Sequence, residues 1–262
     1  MSAAVPHYVT IADGQMRIWR AGTGPGLVVL PGLAVGAAVT ASRLAALCQG
    51  WSITAIELPG ASLRDDAQSL ESMSRQIAAT LQALGLERSV LVAMDMAAPL
   101  AALVARHIAP TATILVGAGR AQAWAQRAPA LASFAARADG THLTALFAHL
   151  RDLDILEPSD RMRPARQGDV YLDADERHAT FIAWGADPAA YARMWALCAA
   201  ELARGRDDAA GVTACAGVED LPSALATLLD RAPHAPPVHA VTPAASSRPR
   251  ASSAAQSAHM RA

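Results

Sequence analysis

One stretch limits what this chain can fold into more than any other: Val90-Leu-Val-Ala-Met-Asp95-Met-Ala-Ala-Pro-Leu-Ala-Ala-Leu-Val-Ala105. It opens as a short apolar run, the pattern of a strand buried on both faces. It passes through small residues around a single acid and continues as an Ala/Leu/Val helix. A lone carboxylate at such a junction sits at the mouth of a sheet, with the first backbone N–H groups of the helix aimed near it. Ala93 and Ala97, two residues before and two after Asp95, leave room for a sharp bend.

The flanking sequence supplies the rest of a sheet. His7 to Ile11 and Gln15 to Trp19 are short alternating runs joined by Asp13-Gly14, a hairpin signal. The loop Gly22-Thr-Gly-Pro-Gly26 leads to a buried strand at Leu27 to Leu30; it opens no helix, which discounts a nucleotide-binding role. Pro31-Gly-Leu-Ala-Val-Gly36 follows, then a helical stretch to Cys48. Ser52 to Ile56 reads as another strand, ending in Glu57-Leu-Pro-Gly60-Ala-Ser62. Leu70, Met73, Ile77, Leu81 and Leu84 recur at helical spacing, so one face of that helix packs on the sheet. Thr111 to Val116 is the strand after the central helix. Strands and helices alternating over short connections predict an α/β fold with a mostly parallel, doubly wound sheet. Sites in such sheets form at the carboxyl ends of strands, where Asp95, Leu33 and Gly117 to Arg120 fall.

Beyond Gly119 the rhythm changes. Leu143, Leu146, Phe147, Leu150 and Leu153, then Tyr191, Met194, Trp195, Cys198 and Leu202, mark helices, and Trp124, Trp184 and Trp195 lie among them. The expected organisation is a core over residues 1–118, an inserted helical cap over 119–211, and a return to the core over 212–242. That return holds a helix at Pro222 to Arg231 and a strand at Pro237 to Val241. Residues 243–262 are mostly Ala, Ser, Pro and Arg with little apolar surface to offset ordering entropy, so this tail is expected to be disordered.

Composition narrows the function classes. A formal net charge of -1 argues against a nucleic-acid or anionic-membrane partner. Every cation is Arg, with no Lys or Asn in the chain; this reads as coding bias and makes the abundance of Ala weak evidence about structure. Cys48, Cys198 and Cys215 form neither a disulfide framework nor a zinc pattern, which suits a reducing compartment. The N-terminus has no basic region followed by an apolar core, and no run of ~18 apolar residues occurs, so a cytoplasmic protein without a membrane span is expected.

In sum these residues resemble the α/β-hydrolase superfamily, and within it the Asp-nucleophile branch of haloalkane and haloacetate dehalogenases and epoxide hydrolases. Three motifs carry the resemblance. Val92-Ala-Met-Asp95-Met-Ala-Ala-Pro is similar to that branch's Gly-His-Asp-x-Gly elbow, with Ala at both glycine positions and Met94 in place of His. Leu30-Pro-Gly32-Leu33 resembles the His-Gly-x oxyanion turn, with Pro31 replacing His. Glu57-Leu-Pro-Gly60-Ala-Ser62 resembles a shortened form of the Asp-Leu-Pro-Gly-x-Gly-x-Ser turn. The resemblance implies Asp95 as nucleophile and the N–H groups of Leu33 and Met96 as oxyanion donors. It also implies a substrate pocket between core and cap, where Tyr191, Trp184 and Trp195 fall.

An Asp in this place has a clear chemical use. A serine needs a base before it attacks, whereas a carboxylate, with a reference pKa near 3.9, is ionised at neutral pH. It can displace halide or open an epoxide directly, and the resulting ester is then cleared by water activated by His. Asp is equally a favoured helix N-cap, so both readings of Asp95 stay open. The triad is incomplete in the sequence. The superfamily's base follows the last strand in a Gly-x-Gly-His-like setting that this chain lacks, which reads as a C-terminally shortened form. His239 and His259 are the candidates, although His239 lies in an apolar strand and reads as structural by its neighbours. No acid follows Val116 or Val241 at the orienting position, and Met96 stands where dehalogenases often place a halide-binding Trp.

Weaker features read as ordinary structure. Leu172-Asp-Ala-Asp-Glu-Arg-His178 is expected to be a solvated loop or helix start rather than an ion site, and His142 and His149 share a helix face without a third ligand. Tyr171 and Tyr191 fall where epoxide hydrolases use cap tyrosines to protonate the opening oxygen, though packing accounts for each. Two functions follow as expectations: a hydrolase acting through Asp95 on a small, largely apolar ester, epoxide or halide, or a catalytically silent homologue that binds a ligand or partner. The first needs no cofactor and no metal, takes a small-molecule substrate, and allows a homodimer.

Overall fold

The computed structural model describes residues 3–58, 69–118, 121, 125, 134–155, 172–204 and 212–231. Among them, seven strands form one sheet in the order β1-β2-β4-β3-β5-β6-β7. These are β1 (Val5–Ile11), β2 (Gly14–Ala21), β3 (Gly26–Leu30), β4 (Ser52–Ile56), β5 (Val90–Met94), β6 (Ala112–Val116) and β7 (Val212–Cys215). β2 pairs antiparallel with both β1 and β4, while β4, β3, β5, β6 and β7 run parallel.

The hairpin forms one residue earlier than the Asp13-Gly14 signal suggests. Ile11 pairs with Gly14, so Ala12 and Asp13 make the turn, and Gly14 opens β2 at φ 133, a conformation that only glycine adopts easily. β1 lies on the edge with Val5 and Tyr8 exposed.

Alternation along the central strands divides the interior into two layers. Val28 and Leu30 of β3 and Leu91 and Ala93 of β5 face one cluster; Leu27, Val29, Val90 and Val92 face the other. Helix α1 (Ala37–Leu47) covers the second face through Ala37, Ala41 and Leu44, joined by Leu221 and Leu225 of α7 (Leu221–Arg231). Helix α2 (Leu70–Ala83) and α3 (Ala98–Ala105) cover the first. α2 is the predicted amphipathic helix: Ser69 accepts a hydrogen bond from the Ser72 N–H at 3.1 Å, and Leu70, Met73, Ile77 and Leu81 are buried. Each such aliphatic side chain contributes about 1.5–3 kcal/mol of burial free energy.

Between β6 and β7 the described chain is helical: α4 (Thr141–Ile155), α5 (Ala174–Gly185) and α6 (Pro188–Ala203). The start of α5 is set by a capping box between Asp173 and Glu176, which explains the acidic run as a helix start. Asp187 caps α6, accepting from the Ala190 N–H at 2.8 Å, with Pro188 in the first turn. Leu146, Leu150, Trp184, Tyr191, Trp195 and Cys198 of this insertion join the cluster that holds α2 and α3, so insertion and sheet share one core. α5 packs on α1, and α6 packs on α3 and on the bend after β5.

β7 is a strand the sequence did not announce. Val212-Thr-Ala-Cys215 has one aliphatic branched residue and is short, and only its parallel register with β6 makes it a strand. The proposed strand at Pro237 to Val241 and the 243–262 tail lie outside the described residues. No described helix is long and apolar enough to cross a membrane.

Candidate active site

β5 ends at Met94, and residues Asp95–Ala97 form a single 3-10 turn before α3 begins at Ala98. Asp95 has φ 46, the one positive φ of any non-glycine residue among those described. For an L residue the left-handed region costs about 1–2 kcal/mol, so the surrounding packing must impose it. Met94 is the N-cap of the 3-10 turn and Ala97 that of α3; neither cap position is held by Asp95. Met96 and Ala97 are fully buried, and Asp95 is 3% exposed.

The turn after β3 comes against this acid. A Cβ added at Gly32 would lie 3.0 Å from Asp95 Oδ2 and 3.3 Å from both Asp95 Cβ and the Met94 carbonyl oxygen. A methyl at position 32 would require Asp95 or the Met94 carbonyl to give by a few tenths of an ångström. The structure brings the Leu30–Leu33 and Asp95 motifs together as neighbours, with Leu33 fully buried.

The insertion closes over the same turn. Tyr191 of α6 donates its phenolic hydrogen to the Leu33 carbonyl at 2.9 Å. His149 Nε2 of α4 stands 3.1 Å from the same hydroxyl. The phenol has one hydrogen, and Leu33 receives it, so at His149 the phenolic oxygen accepts and Nε2 carries the proton. Burial pushes the Tyr191 phenol well above the usual tyrosine range. Trp184 lies 4.9 Å from Tyr191 between ring centroids, and His149 stands edge-on to Trp195 at 4.9 Å. The indole N–H of Trp184 is buried and has no acceptor among the described residues.

Two further bonds fasten the insertion to the core. Thr180 Oγ1 accepts from the Gly36 N–H at 3.2 Å. Glu176 takes both arms of Arg43, at 2.8 and 2.7 Å, while also serving in its own capping box.

Of the residues expected at the site, the structure gathers Asp95, Leu33, Met96, Tyr191, Trp184 and Trp195 around one end of the sheet. His239 and His259 lie outside the described residues, as do Tyr171, Trp124 and Gly60 to Ser62. His142 accepts a hydrogen bond from the Arg137 N–H near the surface, away from His149's partners. No group of three or more metal-ligating side chains occurs among the described residues. Sequence reasoning paired His149 with His142 and passed over its contact with Tyr191, because no local pattern links positions 149, 191 and 33.

Comparison with family models yields no match, and neither does comparison with curated proteins. Solved structures do resemble it. A proposed acyltransferase from Salmonella enterica has a TM-score of 0.61 at 14% identity, covering 87% of this chain and 95% of that one. A proposed α/β hydrolase from Nostoc sp PCC 7120 scores 0.57 at 16% identity, covering 87% of each chain. An epoxide hydrolase from an endophytic Streptomyces scores 0.54 at 17% identity, covering 87% of this chain and 84% of that one. Together with the strand order and the bend after β5, these likenesses define an α/β-hydrolase fold. The activities named for the three differ, so the fold is what they have in common.

Proposed function

We propose that the protein is a hydrolase in which the Asp95 carboxylate attacks a small, largely apolar substrate of the ester, epoxide or halide class. The observation that carries this reading is the left-handed backbone of Asp95 at the strand-to-helix bend. Strain of this kind persists where the structure over-determines it, and it clusters at reactive residues. The apolar character of Leu33, Met96, Trp184, Tyr191 and Trp195 supports an apolar substrate, and the buried N–H of Trp184 supports one that carries an electronegative atom.

With a halide or epoxide, an Asp95 carboxylate oxygen bonds to the tetrahedral carbon as the carbon–halogen or carbon–oxygen bond breaks. Halide leaves with the electron pair, or the opened epoxide oxygen takes it and then accepts a proton from water. Water next adds to the Asp95 ester carbonyl, and the oxyanion is received by the N–H groups of Leu33 and Met96. Collapse releases the alcohol and restores the carboxylate. His239 and His259 remain the proposed sources of the base for that water.

Intact-protein mass spectrometry after exposure to a reactive primary alkyl halide or a terminal epoxide tests the reading. A mass increment on the peptide carrying Asp95, abolished in Asp95→Ala, is the expected result. Turnover that survives Asp95→Ala overturns it. A stable adduct without turnover would identify a nucleophile without its base, the behaviour of a ligand-binding homologue.

A further inference from the structure

The turn between β3 and α1 poses a hydrogen-bonding problem. Pro31 to Gly36 are all buried, yet they lie in no strand or helix that could satisfy their backbone groups. Buried N–H and C=O groups need partners. Two of these come from the insertion, far away in sequence: Tyr191 donates to the Leu33 carbonyl, and Thr180 accepts from the Gly36 N–H.

We infer that Tyr191 is a positioning residue, its phenol oriented by His149, that holds the turn meeting Asp95 at Gly32 and so sets where the Leu33 N–H points. The inference rests on the proposed role of Asp95 and adds that the helical insertion sets the geometry of the oxyanion side. Three observations support it. The Leu33 carbonyl and N–H sit in successive rigid peptide planes joined at the Leu33 Cα, so anchoring the carbonyl leaves the N–H only the two torsions of Leu33, in a turn that is buried throughout. His149 donates to the phenolic oxygen, which polarises the O–H toward Leu33. Phe134, Trp184 and Trp195 pack around the Tyr191 ring and keep the hydroxyl from turning to another acceptor.

The two chemical steps separate this role from plain structural support. Ester formation consumes carboxylate charge, whereas ester breakdown builds an oxyanion, so a misaimed Leu33 N–H penalises breakdown more. Tyr191→Phe removes only the hydroxyl. With an alkyl halide as probe, the ratio of ester breakdown to ester formation is expected to fall about 10-fold, a typical cost of a displaced catalytic dipole. In protein carrying ¹³C-carbonyl leucine, the Leu33 resonance should move upfield as its hydrogen bond is lost. His149→Phe should shift both readouts the same way by less, and His149→Gln, which can still donate to the phenol, should restore them. An unchanged Leu33 resonance in Tyr191→Phe overturns the inference. So does a shifted resonance with an unchanged ratio, which would leave a bond of structural value only. If wild-type protein forms no ester at Asp95, the nucleophile reading fails by itself, and the Leu33 resonance still decides whether Tyr191 holds the turn.

Discussion

Two strands flanking β3 are each followed by a buried acid, and the two acids are held in different ways. After β4, Glu57 is 4% exposed, and its carboxylate is saturated by both arms of the Arg17 guanidinium and by the Trp19 indole N–H at 2.9 Å. Its backbone N–H also completes the pairing with β2 by donating to the Arg17 carbonyl at 3.0 Å. The Glu57 carboxylate holds Arg17 above the ordinary arginine range. After β5, Asp95 is as deeply buried, but it stands on a left-handed backbone with Gly32 pressed against its carboxylate and the insertion packed on its turn. Burial of a charge is costly. At Glu57 a neighbouring strand offsets that cost and gains a clamp on the antiparallel edge. At Asp95 the backbone is held in the left-handed region, at the bend between β5 and α3. Burial is common to the two acids, whereas the left-handed backbone belongs to Asp95 alone among the described non-glycine residues.

Breaking the Glu57 end should have the largest effect on stability. Glu57→Ala leaves a half-buried guanidinium and an indole N–H without their acceptor, and it should lower unfolding free energy by about 3 kcal/mol in urea titration. Adduct formation at Asp95 by the folded protein should persist; its loss would mean the two ends are coupled and the contrast is false. At the other end, Gly32→Ala forces a methyl against Asp95 and the Met94 carbonyl, at an expected cost of about 2 kcal/mol. It should also slow adduct formation, since the carboxylate must move. A silent Gly32→Ala, by thermal melt and by mass spectrometry, would show that the turn and the acid are not in register. The smallest stability effect is expected from Asp95→Gly. Glycine takes φ 46 without strain, so stability should stay within about 1 kcal/mol of wild type while adduct formation disappears. A loss of several kcal/mol would assign Asp95 the structural role that Glu57 has.

Much of the frame could be read before any coordinates. Ser52–Ile56 and the start of β5 at Val90 fall where the apolar runs place them, and α2 begins at Leu70 as its spacing requires. Those segments carry their own pattern, since an apolar run or a helical stripe is local. β7 does not, being four residues whose strand character comes from pairing with β6. The elbow was legible as small residues around one acid, but its left-handed bend was not, because Asp at that position serves equally well as a cap. The contacts at Leu33 were invisible for a different reason: Tyr191 and His149 approach it only through the docking of α6 and α4.

The layers were encoded locally: short apolar strands, amphipathic helices between them, and a run of helices before the last described strand. These follow from periodicity and burial, which neighbouring residues encode together. Tertiary structure alone decided how the insertion meets the sheet and what holds the turn beside Asp95. Hydrogen bonds between residues 33 and 191, or 36 and 180, depend on the packing of whole elements, and no local spacing specifies them.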